Sequence, residues 1–97
     1  MALLTENTAK QLIVRLAKVV PYQLGVISVD GVVMSSSNSA EIGAKREAAM
    51  RAVELEEAVI TYRDSDRQRQ GISFPLRMNT QIVGVLEING DLDVILP

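Results

Sequence analysis

Cysteine and histidine are both missing from this chain. The first absence excludes disulfides, thiolate catalysis and cysteine-ligated metal sites. The second removes the commonest general base and the commonest metal ligand. Tryptophan is absent too, and Tyr22, Tyr62 and Phe74 are the only aromatic side chains, so any core must be built from Val, Ile, Leu and Ala. Neither sign of charge dominates: the formal net charge is -2, which leaves no global basic field for nucleic acid. No run reaches the roughly 18 apolar residues that a membrane-crossing helix needs. Glu6, Lys10 and Arg15 interrupt any signal-peptide core, so a cytoplasmic location is the expectation.

What remains is enough for one small domain over 1–97. The chain has 97 residues, 47% of them hydrophobic, and a domain of this size buries a modest share of its surface. Ala9, Leu12, Ile13, Leu16, Ala17 and Val20 repeat at i, i+3, i+4 and i+7 and predict an amphipathic helix over Thr5–Val20. Thr5 or Asn7 can cap its start, and Pro21 stops it. Gln23–Val29 and Val32–Ser36 read as strands around an Asp30–Gly31 hairpin turn. After the polar loop Ser35–Ser39, Asn38 with Glu41 resembles a capping box. It predicts a second helix from about Ala40 to Val53, with Ile42, Ala49 and Val53 as its apolar side. Ala58–Tyr62 is a short β-prone run, Arg63–Gln68 a charged link read as solvated loop, and Leu92–Pro97 an apolar tail.

The segment with most chemical content is Arg69–Leu76 followed by Ile82–Leu86. Ile72, Phe74, Leu76 and Met78 alternate with Gly71, Ser73, Pro75 and Arg77, the period of a strand with one apolar face. Asn79–Thr80 supplies the turn to a last strand that ends near Asn89–Gly90–Asp91. Arg69 and Gln70 stand at the start of the first strand of this pair, beside Gly71, which lets a ligand or another backbone approach. Together the elements predict an α+β fold, a five-stranded antiparallel sheet covered by helices, with room for a small-molecule site between sheet and helices.

Catalysis has little to work with. The serines lack histidine partners, and carboxylates such as Glu47 and Glu87 act as acid and base only when pushed together in a pocket. Glu54, Glu56 and Glu57 read as an exposed face and not as a cation site. The expectation is a binding module: not an enzyme, with no metal and no cofactor. The apolar stripe of the first helix can cover its own sheet or pair with a second copy of the chain, and a homodimer is expected.

Three segments carry a family resemblance that covers nearly the whole chain. Ile42–Gly43 with Glu47 and Ala49 resembles the pattern Ile-Gly-x-x-His-Glu-Gly-Ala. Gln70–Leu76 resembles Gln-Gly-Ile-Asn-Leu-Pro-Leu/Ile. Ile82–Leu86 through Gly90–Asp91 resembles the closing strand and turn. These are the marks of the sugar-diacid recognition domain, the N-terminal sensory part of bacterial carbohydrate-diacid regulators. The resemblance implies a PAS-like fold that binds sugar diacids such as glucarate or galactarate, or the related glycerate. It also implies a separate C-terminal helix-turn-helix for DNA, which these residues do not include, so no direct nucleic-acid contact and no membrane contact is expected of them.

Read with that resemblance, the expected ligand contacts are Gly43, Arg46, Glu47, Arg69, Gln70, Gly71 and Ser73. The chain departs from the family pattern at four of its positions: Arg46 replaces a histidine, Ala48 a glycine, Ser73 an asparagine and Glu87 a glycine. Arg46 keeps positive charge and can grip a carboxylate with two hydrogen bonds, which preserves anion binding; equally, the change can mark a structural or dimerisation module that has lost its ligand. Gly43, Lys45 and Arg46 are placed in the first turns of the second helix, where free N–H groups favour an anion. Gly43 can alternatively serve close helix–sheet packing.

Overall fold

A computed structural model describes residues 4–64 and 69–95. In chain order the elements are α1 (Glu6–Leu16), β1 (Gln23–Ile27), β2 (Val33–Ser36), a 3-10 turn (Ser39–Glu41), α2 (Glu47–Leu55), β3 (Val59–Thr61), β4 (Gly71–Met78), β5 (Gln81–Asn89) and α3 (Leu92–Ile95). The five strands form one sheet in the order β2-β1-β5-β4-β3, antiparallel at every pairing. This is the expected α+β architecture and is consistent with a PAS-like fold. The expected link residues Ser65–Gln68 and the tail end Leu96–Pro97 lie outside the described residues.

The sheet carries a helix on each face. α1 starts at Thr5, whose side chain accepts a hydrogen bond from the Thr8 amide at 3.1 Å. It buries Ala9 and Ile13 over Leu24 and Val26 of β1, with Leu76, Leu86 and Ile88 filling in. Its apolar stripe therefore covers its own sheet. The helix is shorter than expected: it closes at Ala17, and the chain to Val20 runs on as turns. On the other face, α2 lays Ala48, Ala49 and Ala52 against Ile27, Val33, Val59 and Val85. Alanines let the helix axis approach closely, and the methyl groups fill what little space remains.

Two expectations are corrected here. The first concerns the β1–β2 connection. Strand β1 ends at Ile27 and β2 begins at Val33, so Asp30–Gly31 is not a two-residue hairpin loop. Gly31 instead closes a turn by donating its amide to the Ser28 carbonyl at 2.9 Å. The register shifts between Val26 and Ile27, and Val32 is drawn away to pair with Lys45. The second concerns the start of α2. Asn38 caps only the short 3-10 turn, accepting from the Ala40 amide at 3.1 Å, and α2 begins at Glu47, not near Ala40. Gly43 lies between them with φ 90°, a conformation that favours glycine, and no atom lies within 4 Å of where its Cβ would be. Its role is backbone geometry and not close packing, and Ile42 is left exposed outside the helix.

The last hairpin forms as expected, with Asn79 in the left-handed region at φ 57° as a tight turn demands. Strand β5 runs to Asn89, where the sequence places its end. Its buried polar residues Glu87 and Asn89 lie on the α2 side of the sheet, where the sequence pattern of an apolar face breaks off.

Candidate functional site

Register decides which polar groups meet. Across β1, β5 and β4 the row Gln23–Asn89–Gly71 sits above the row Gly25–Glu87–Ser73. Side chains two residues apart share a face, so Gln23, Asn89, Glu87 and Ser73 all point to the face that α2 covers. The lower part of that face is aliphatic and the upper part polar. The chain between β2 and α2 passes over the polar part and delivers Glu41 and Arg46.

Arg46 is the centre of this region. Only 5% of it is exposed, and Glu87 beside it is 2% exposed. The guanidinium donates from Nε to Glu87 Oε1 at 3.2 Å and from Nη2 to Glu41 Oε2. The other oxygen of Glu41, Oε1, lies 3.9 Å from Nε of Arg69. A chain of alternating charge thus runs Glu87, Arg46, Glu41, Arg69 from the interior to the surface. The hydrogen bond from Arg46, with the fields of Arg46 and Arg69 and a contact from Gln23, holds the Glu41 carboxyl below its ordinary value against the opposing effect of burial. Burial disfavours the charge on Arg46, but the hydrogen bond to Glu41 and the field of Glu87 outweigh it and raise its pKa. Both charges are therefore firmly kept.

Above this network an open cleft of about 470 Å³ is lined by Gln23, Asp64, Arg69, Gln70, Asn89, Gly90 and Asp91. Gln70 builds its wall. The Gln70 amide N–H donates to Asp64 Oδ1 at 2.7 Å, its side chain donates from Nε2 to the Tyr62 carbonyl at 2.6 Å, and Oε1 accepts from the Leu92 amide at 3.3 Å. The Gln70 carbonyl accepts from the amide of Gly90 at 3.0 Å. One residue thereby ties the end of β3, the start of β4 and the start of α3 around the opening. The first residues of the expected apolar tail are α3, and they help close this end.

The seven residues expected at the site fall into three groups. Arg69 and Gln70 line the cleft, and Arg46 lies directly below it. Gly71 and Ser73 belong to the same strand but are buried in the sheet. A Cβ on Gly71 would stand 2.1 Å from the Ile88 carbonyl oxygen, so the close approach there is by a neighbouring strand. Gly43 and Glu47 lie apart from the cleft. Glu47 is the exposed first residue of α2, where its charge suits the helix dipole. The free N–H groups expected at Gly43 and Arg46 are taken: Gly43 donates to the Val33 carbonyl at 2.9 Å and Arg46 to that of Gly31 at 2.7 Å.

Sequence reading missed Glu41, Gln23, Asn89 and Asp91. Glu41 was accounted for as half of a capping box, and only the fold shows that its carboxylate turns to Arg46 instead. Glu87 was visible as a charge in an otherwise apolar strand, a pattern that signals a buried partner.

The chain resembles one protein whose name concerns diacids and one whose name gives no function. It is 29% identical over 94 residues to the carbohydrate diacid regulator of Escherichia coli, a match covering 91% of this chain and 24% of that protein. It is 28% identical over 94 residues to an uncharacterized protein of Haemophilus influenzae, covering 91% of this chain and 25% of that one. The chain thus spans about a quarter of the length of these relatives. Residues 4–97 match the family described as sugar diacid recognition, and on that match, with the fold just described, the chain belongs to this family.

Proposed function

We propose that this domain is the ligand-sensing part of a transcriptional regulator, binding a small sugar acid of the glucarate, galactarate or glycerate type without turning it over. The observation that carries the reading is the position of Arg69. It lines the cleft and also faces Glu41, the outer member of the buried charge network. A ligand carboxylate at Arg69 competes with Glu41 for the same cation, and the amides of Gln23 and Asn89 offer partners for hydroxyls. Glu41 in turn holds Arg46, the residue that precedes α2. Occupancy at the cleft is thereby felt at the start of a helix, the kind of local charge exchange that biases a conformational equilibrium.

Thermal melting with glucarate, galactarate and glycerate, each on wild type and Arg69→Ala, tests this. A ligand present at a hundredfold excess over its Kd stabilises by about 2.7 kcal/mol. A rise in Tm with one of the acids, lost in the variant, supports sensing. No rise with any of them at millimolar concentration removes the reading.

One observation favours a second reading. The buried Arg46 already has two carboxylates of its own chain, as expected of a module that no longer binds a diacid and is retained for homodimerisation. A dimer that persists at micromolar concentration in sedimentation, unaffected by every acid tried, supports it; a monomer under those conditions does not.

A further inference from the structure

Glu41 holds its carboxylate between two guanidiniums. Oε2 accepts from Nη2 of Arg46 and Oε1 lies 3.9 Å from Nε of Arg69, with the Glu41 side chain only 15% exposed. Neither guanidinium is vacant, and the seat opens only when Glu41 leaves it. The backbone that carries Glu41 permits such a departure. It is fastened at both ends: Ser37 donates its amide to the Leu24 carbonyl at 2.9 Å and accepts from the Leu24 amide on Oγ at 2.9 Å, while Gly43 and Ala44 pair with Val33. Between these anchors the turn hydrogen-bonds mainly to itself. The amides of Ala40 and Glu41 donate to Asn38 at 3.1 and 3.0 Å, and that of Ile42 to the Ser39 carbonyl at 3.2 Å. Ile42 is exposed, and Gly43, with φ 90°, has nothing within 4 Å of where a Cβ would stand. The Glu41 side chain is what joins this turn to the buried charges.

Resting on the reading of this cleft as the ligand site, we infer that the seat of Glu41 is the carboxylate subsite and that Glu41 is its resident competitor: one carboxylate of a sugar acid takes its place on Arg46 and Arg69, and the turn over 38–42 is released from the charge network. The exchange is neutral in charge. Arg46 is buried and keeps Glu87 throughout. One carboxylate replaces another beside it, so no buried charge is left without a counterpart, the state that is costly in an interior. Glu41 carries its own charge into water. Gln23, which contacts Glu41 and also lines the cleft, connects the seat to the opening. Because Glu41 is tethered, it competes at a high effective concentration, and the apparent affinity for ligand falls with the fraction of molecules in which it holds the seat. One contact thereby sets the threshold of the sensor and also names the element that moves.

Titration calorimetry on the chain with glucarate, galactarate and glycerate as probes, joined to hydrogen exchange on the saturated wild type, tests the inference. Glu41→Gln keeps the shape and removes the charge, and is expected to bind the acid that wild type binds about tenfold more tightly. Glu54→Gln, the same change of charge at an exposed position of α2, is expected to leave the affinity where it is. In wild type, saturation with the acid is expected to speed exchange of the Ile42 and Ala44 amides, since the turn has lost its fastening to Arg46. That measurement needs no variant and serves where Glu41→Gln does not fold. Binding to wild type with unchanged or slower exchange at both amides overturns the inference and leaves the sensing reading intact. So does an affinity of Glu41→Gln no higher than that of wild type, or a gain that Glu54→Gln matches. Binding of none of the probes to wild type or to Glu41→Gln overturns the sensing reading itself, and this inference with it.

Discussion

Arg46 and Glu87 are separated by 41 residues in the chain, yet Nε of one lies 3.2 Å from Oε1 of the other in the interior. The contact ties the entrance of α2 to the middle of β5. Removing one member leaves the other charge buried without its partner, which costs about 3–5 kcal/mol in such settings, whereas replacing both by apolar groups of similar volume is often close to neutral. Arg46→Met is therefore expected to lower unfolding free energy by about 3 kcal/mol or more, since it removes the buried guanidinium that both Glu87 and Glu41 face. Glu87→Met costs less, because Glu41 still faces Arg46. Urea denaturation of the double variant Arg46→Met/Glu87→Met should show a loss well below the sum of the two. Additive losses would mean that the two side chains are not energetically coupled.

Acid stability follows from Glu41. Its folded-state pKa lies below the ordinary 4.5 because Arg46 and then Arg69 favour the ionised form. The unfolded chain then binds the extra proton first, so this contribution is complete above pH 4.5 and is lost as the pH falls through the folded value. Unfolding free energy measured against pH should be flat in this respect near neutrality and decline below about pH 5. Glu41→Gln should lower the plateau and flatten the decline. A variant curve parallel to wild type down to the acid limit would remove Glu41 from the account.

Gly71 is a site where any side chain collides with backbone. The added Cβ would sit 2.1 Å from the Ile88 oxygen and 2.8 Å from Asn89 Cα, at φ 155°. Because the obstacle is the neighbouring strand, no rotamer relieves it, and β4 must separate from β5 at the mouth of the cleft. Gly71→Ala is expected to cost more than the roughly 1 kcal/mol of an ordinary glycine replacement, read as a drop in Tm, and to expose the amide of Gly90 to faster hydrogen exchange. Wild-type stability in this variant would show that the strands can part there without loss.

The sheet was legible because its strands announce themselves locally: Ile72, Phe74, Leu76 and Met78 alternate, and Asn79 supplies a left-handed turn residue. Helices α1 and α2 were legible as to existence for the same reason, whereas α3 (Leu92–Ile95) reads in the sequence only as an apolar tail. The start of α2 was not legible. Asn38 and Glu41 have the spacing of a helix cap, but the cap serves a single turn, and Gly43 with φ 90° redirects the chain before the helix begins. That correction matters for the site, because it takes Arg46 out of a helix and puts its guanidinium under the cleft. Arg69 and Gln70 were found from their position at a strand end beside Gly71. Glu41, Gln23 and Asn89 join them only through register, and register between β1 and β5 pairs residues such as Gln23 and Asn89 whose separation no local pattern encodes.

The end of α2 offers a stabilising change. Glu56 caps the helix in the left-handed region at φ 57°, a place where glycine is normally preferred because a side chain with Cβ there costs roughly 1 kcal/mol or more. What the side chain gives in return is small. Its carboxylate lies 3.7 Å from Arg77 Nη1, with both groups well exposed, and such pairs contribute at most about 1 kcal/mol and often nothing measurable. The stronger contact, from Arg77 Nη2 to the Glu56 carbonyl at 2.9 Å, uses the backbone and survives replacement. Glycine also loosens the unfolded chain, which offsets part of the gain. Glu56→Gly is nevertheless expected to raise unfolding free energy by a few tenths to about 1 kcal/mol, a Tm increase of about 2–6 °C for a domain of this length. A lower Tm would mean that the Glu56–Arg77 pair fastens α2 to β4 more tightly than an exposed ion pair does. Adding 0.5 M salt, which screens exposed pairs, would then erase the difference between the two proteins.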